Sequence, residues 1–169
     1  MRLTRWAPVA LATVLALVLT AAVSAVGPRG GPLDGFTIGH LPAKVGPQAS
    51  ASDFSYEWGE VSFTQRAWEQ AKEGGGFEVL LQVLVLRSEE FTDLDAVRTF
   101  LTRYHERDAD TWELGEFDNN GTGGLYGGAE AFWSPAPGVA VEVRDPFGLI
   151  GEEEVLATAR GVEFQENPA

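Results

Sequence analysis

The chain contains no cysteine, two histidines and only two lysines among its 169 residues. The first absence excludes disulfides, thiolate metal sites, a cysteine nucleophile and a lipid-modified cysteine. A folded part of roughly 140 residues can build its core without disulfides. Lys and Arg together number 12 against 25 acidic residues, a formal net charge of −13. Arg2 and Arg5 precede an apolar N-terminus, so the remainder carries about −15, ten basic residues against 25 acidic. Nucleic acid and anionic membrane surfaces attract clustered Lys and Arg, so this balance opposes both as partners and permits a basic or cationic one. Known catalytic signatures are lacking too. There is no Gly-x-Ser-x-Gly elbow, no His-Glu-x-x-His and no P-loop.

What is present begins with an address. After Arg5 no charge occurs until Arg29, and Ala7 to Val26 is almost wholly apolar. A positive start, an apolar run and small residues at Val23-Ser24-Ala25 form the pattern of a secretory signal. Twenty apolar residues also span roughly 30 Å as a helix, the thickness of a bilayer core. Residues 1–26 are therefore expected to be a signal peptide or a retained transmembrane anchor. Either way the N-terminus stays inside and the rest goes outside, to the cell membrane or the medium. Gly27 to Asp34 reads as a linker. Residues 35–164 read as one domain and 165–169 as a tail. Ten arginines to two lysines, with abundant Ala and Gly, suggest a GC-rich bacterial coding sequence.

The domain is organised around Phe77 to Arg87, Phe-Glu-Val-Leu-Leu-Gln-Val-Leu-Val-Leu-Arg. Alternate residues of a strand point to opposite faces, and both faces here are largely apolar. Such a strand belongs in the middle of a sheet covered on both sides. Phe36 to Leu41 is a short strand candidate. Phe54, Tyr56 and Trp58 alternate with polar residues, and Val61 and Phe63 continue on the opposite parity, which places a bulge or tight turn at Gly59-Glu60. The spacing of Leu94, Val97, Leu101 and Tyr104 predicts a helix over 93–105, with Thr92 as N-cap. Trp112, Leu114 and Phe117 suggest a further strand. Ala129 to Trp133 and Val139 to Arg144 make the clearest hairpin, with Val139, Val141 and Val143 on one face. Gly151 to Arg160 predicts the last helix, with Glu152, Glu153 and Glu154 favourably placed at its positive end. The order implies an α+β fold: an antiparallel sheet of about five to seven strands, two helices packed on one face, and an N-terminal apolar helix before it.

Few residues invite chemistry, and each has a plainer reading. His40 sits at a strand end and His105 at a helix C-terminus, where imidazolium is favoured by the dipole. No motif places a nucleophile or carboxylate beside either, so both read as partly exposed side chains. Glu116-Phe-Asp118-Asn-Asn120-Gly121 resembles half of a calcium loop, but the twelfth position would be Gly127, not Glu, so an Asn-Gly turn is the simpler reading. Glu89-Glu90 and Glu152 to Glu154 sit at helix starts, where the dipole accounts for them. Tyr56, Trp58, Trp68, Trp112 and Trp133 are expected chiefly in the core, with a binding surface as the other use. No catalytic, cofactor-binding or metal-binding residue is assigned, and no cofactor is expected.

One resemblance adds to this reading. Gly-Gly-Ala-Glu-Ala-Phe-Trp-Ser-Pro-Ala-Pro-Gly-Val-Ala-Val-Glu-Val from Gly127, then Glu-Glu-Glu-Val-Leu-Ala-Thr-Ala-Arg-Gly-Val from Glu152, resembles the end of an uncharacterised family of extracytoplasmic domains. These belong to membrane-anchored actinobacterial and firmicute proteins, some fused to anti-sigma-factor anchors. Phe36 to Pro42 is similar to the family's opening strand. The resemblance implies an antiparallel domain outside the membrane with no known catalytic residues. Only about five residues precede the apolar run, so a cytoplasmic sigma-binding region is not expected. The function expected is a non-enzymatic binding or sensing module of the cell envelope, its partner an envelope protein or a small ligand. The alternatives are a carrier of hydrophobic ligands or lipids, and a small hydrolase using an acidic pair, which would need two carboxylates converging in a cleft.

Overall fold

The computed structural model describes residues 30–165. The signal or anchor expected over residues 1–26 and nearly all of the tail lie outside that range. Ten strands and two helices follow in order: β1 (Gly31–Leu33), β2 (Phe36–Ile38), β3 (Ser50–Trp58), β4 (Val61–Ala71), β5 (Phe77–Arg87), α1 (Leu94–Tyr104), β6 (Gly115–Asn119), β7 (Thr122–Gly127), β8 (Glu130–Ala136), β9 (Val139–Arg144), α2 (Glu152–Arg160) and β10 (Val162–Phe164). They form a seven-stranded sheet, β3-β4-β5-β9-β8-β7-β6, and a three-stranded sheet, β1-β2-β10. Both are antiparallel throughout. Among the described residues no helix is long and apolar enough to cross a membrane.

β5 has the expected bounds and an interior place, and its middle and C-terminal half is covered on both faces. Leu81, Val83 and Val85 point into one core with the small sheet and Val155 and Ala159 of α2. Leu84 and Leu86 point into a second core with Val97, Phe100 and Leu101 of α1. The helices therefore lie on opposite faces of the large sheet, not together on one. The physical reason is the sequence of β5 itself: a strand apolar on both sides needs a cover on each. Each fully buried Leu or Val on it contributes roughly 1.5–3 kcal/mol of transfer free energy.

Turns divide the large sheet into two meanders. Gly59-Glu60 is a two-residue turn rather than a bulge, which lets Tyr56 and Phe63 sit opposite each other with rings stacked at 4.7 Å. Asn120-Gly121 is a two-residue turn with both φ angles positive, at 54° and 89°, the conformation an Asn-Gly pair adopts most readily. The segment expected as a linker contributes β1, and Asp93 rather than Thr92 caps α1, accepting from the Ala96 N–H at 2.8 Å. The small sheet is fastened to the large one by two arginines. Arg66 of β4 bonds the Gly30 carbonyl at 2.6 Å and Asp53 at 2.6 and 2.7 Å. Arg87 of β5 bonds the Asp34 carboxylate at 2.7 Å and its carbonyl at 2.9 Å. Behind them the chain crosses itself: Gly39 N–H donates to the Gly161 carbonyl at 2.6 Å. A Cβ on Gly161 would stand 2.6 Å from that of His40, so only glycine permits this crossing.

Candidate functional site

Two features stand out, one on each face of the large sheet. On the α1 face, apolar pairing gives way to charge at the end of the β8–β9 hairpin. Glu130 lies opposite Arg144, and Phe132 opposite Glu142. Residues 130, 132, 142 and 144 thus share one face, and α1 ends above them. Its C-cap, His105, brings Nε2 to 2.7 Å from Glu142 Oε1 and 3.8 Å from Glu130 Oε2. The side chains of His105, Glu130 and Glu142 are 6 %, 3 % and 1 % exposed. Arg107, just beyond the helix, bonds Glu130 Oε1 at 3.0 Å. Arg144 Nε stands at 3.9 Å from Glu130 and 3.6 Å from Glu142, near enough for charge but not for a hydrogen bond. Glu142 Oε2 is buried with no hydrogen-bond partner.

Burial, and after it the negative charge of Glu142, raises the Glu130 carboxyl above its ordinary pKa, while Arg107, His105 and Arg144 pull the other way. Beside the cluster Tyr56 and Tyr104 share a hydrogen bond of 2.8 Å between their hydroxyls. Burial first, then that bond and the charge of Glu142, pushes the Tyr56 phenol well above its usual range. The cluster can hold charge or a proton away from water. One oxygen of each carboxylate is hydrogen-bonded, Glu130 by Arg107 and Glu142 by His105, and their burial leaves a bulky substrate no access to them in this conformation.

On the opposite face an apolar groove of about 380 Å³ opens between the small sheet and the β8–β9 hairpin. Phe36, Val162 and Phe164 form one wall, and Trp133, Pro135 and Val139 the other. Phe164 meets Phe36 edge-on at 5.3 Å between ring centroids, yet remains 60 % exposed. The groove is held open by hydrogen bonds behind its walls. With its amide oriented to suit its neighbours, the buried Asn119 accepts from Trp133 Nε1 at 3.1 Å and donates to the Ala159 carbonyl at 3.3 Å. Asn120 donates to the Arg160 carbonyl at 3.1 Å. The β6–β7 turn is thereby tied to the end of α2. Asn120, Thr122 and Glu163 supply the polar rim.

The residues singled out in the sequence fare differently. His40 is partly exposed as expected and pairs with Glu154 at 3.1 Å. His105 is not: it is buried against two carboxylates, because α1 lies across the sheet face that carries them. The acidic stretch around Asp118 is a hairpin, with Phe117 and Asn119 buried and Glu116 and Asp118 exposed. Trp68 and Trp133 are core, whereas Trp58 is 45 % exposed, packed edge-on against Phe100 and Tyr104. Sequence reasoning missed Glu130, Glu142, Arg107 and Arg144. One signal was available: a central strand whose one face is Val139, Val141 and Val143 must carry Glu142 on its other, covered face.

The chain matches no protein-family model, no curated protein and no solved structure.

Proposed function

We propose that this protein is a non-enzymatic binding module of the cell envelope that takes the apolar part of a small neutral or cationic amphiphile into the groove between its two sheets. The groove carries the reading. Its volume lies within the range of small-molecule sites, and its walls are aromatic and aliphatic with a few polar groups at the rim. Net charge and the rim carboxylate of Glu163 disfavour an anionic head group. The apolar run behind Arg2 and Arg5 supports an extracytoplasmic location, tethered or secreted. The family resemblance of the C-terminal third remains part of the proposal, and the fold class is compatible with it.

The hydrolase reading has one favourable observation, the convergence of Glu130 and Glu142. Their enclosure by His105, Arg107 and Arg144 tells against it. Titration with neutral 1-aminoanthracene, followed by its own fluorescence and by tryptophan quenching, tests the binding reading. Saturable one-to-one binding is expected, weakened at least tenfold by Ala136→Trp, which fills the groove from its exposed rim. No saturation up to about 1 mM, or equal binding by the filled variant, overturns the reading.

A further inference from the structure

We propose that His105, Glu130 and Glu142 form a binding site for one divalent transition-metal cation, of the zinc class, beneath the C-terminal end of α1. One donor atom from each residue lies within 4.8 Å of the other two. One imidazole nitrogen with two carboxylate oxygens is a donor set that suits zinc and its neighbours, and leaves a fourth position open. The spacing suits it too. Bonds of about 2.0–2.1 Å to a tetrahedral ion put ligand atoms about 3.4 Å apart. The distances from His105 Nε2, 2.7 Å to Glu142 Oε1 and 3.8 Å to Glu130 Oε2, lie either side of that value, and the second oxygen of Glu142, Oε2, stands free to turn toward the same ion. The separation of the two carboxylates is also within 4.8 Å, so side-chain rotations would bring all three to bonding distance.

Two further observations point to a ligand rather than to a closed ion-pair network. Glu142 is fully buried, and its Oε2 has neither hydrogen bond nor solvent. A buried carboxylate oxygen left in that state is costly, and a cation satisfies it. Glu130 divides its oxygens: Oε1 takes the hydrogen bond from Arg107, while Oε2 faces His105 at 3.8 Å and Arg144 at 3.9 Å, both beyond hydrogen-bonding range. The arginines therefore leave one oxygen of each carboxylate uncommitted. Arg107 then acts from the outer shell, orienting Glu130 through the oxygen that does not bind the ion.

The two histidines make a direct test. His40 with Glu154 is an exposed pair, the internal control for adventitious binding. The full chain, stripped with chelator, is titrated with zinc chloride by calorimetry, and the ring nitrogens of both histidines are followed by long-range 1H–15N NMR. One equivalent bound, with the Nε2 resonance of His105 shifting and that of His40 unmoved, is the expected result. Glu142→Gln should weaken binding at least tenfold. A shift at His40 alone, no shift at either histidine, or undiminished binding by a folded Glu142→Gln protein overturns the proposal.

Discussion

Asp145 satisfies three backbone N–H groups at once, those of Leu149, Ile150 and Gly151, at 2.8, 2.7 and 2.9 Å. It is fully buried at the end of β9, and it shapes the loop that delivers α2 to the sheet. Bonds to an ionised acceptor contribute about 1.5–3 kcal/mol each, and removing it strands three donors. Asp145→Ala should therefore cost about 3 kcal/mol or more in urea unfolding, and Asp145→Asn, which keeps one acceptor oxygen, less. A cost under about 1 kcal/mol for the alanine variant would contradict this role. In the sequence Asp145 before Pro146 announces only that the strand stops. Its acceptor role depends on a loop closing back on it, which no local pattern encodes. The charged cluster was hidden for a similar reason. Glu130 at a strand start and His105 at a helix end each look like surface residues, and only the crossing of α1 over the hairpin makes them neighbours.

At the scale of elements, the arginine clamps bear most on the groove, because they fix the small sheet that forms one wall. Two hydrogen bonds from Arg66 hold the Asp53 carboxyl below its ordinary pKa, against the opposing effect of partial burial. A carboxyl lowered in the folded state stabilises above its unfolded value, and that stabilisation fades as pH falls through the folded value. Asp53→Asn should thus lower thermal stability at neutral pH, by less than about 1 kcal/mol since Asp53 is half exposed, and the deficit should begin to shrink only as the pH drops below about 4. Melting temperatures of both proteins between pH 2.5 and 7 would show it, and parallel curves would refute it. Elements with strong internal periodicity were legible beforehand: β5, both helices and the β8–β9 hairpin. The side of the sheet each helix takes was not legible from the helix, since its apolar stripe reports that it is covered and not by which face. β1 was hidden by its composition. Gly31 and Pro32 lack strand propensity, and pairing with β2 overrides that.

For the molecule as a whole, a formal charge of −13 on 169 residues implies self-repulsion spread over the surface. Raising sodium chloride from about 20 to about 300 mM shortens the screening length from roughly 20 to 6 Å. Stability should rise by about 1 kcal/mol, a gain of roughly 3 °C in Tm for a domain of this size. A fall would mean that the surface ion pairs outweigh the repulsion. The antiparallel small sheet carries a different consequence, one of timing. Its central strand, β2, pairs on one side with β1 beside it in sequence and on the other with β10, where Val162 faces Ile38. A chain made or exported from its N-terminus meets that second partner only after β3 to α2 have emerged. Until then Phe36 and Ile38 have no flanking strand on that side, and the groove has one wall. In a nascent chain halted before Val162, Phe36 and Ile38 would stay unpaired on that side, and it is β10 that completes the wall of the groove.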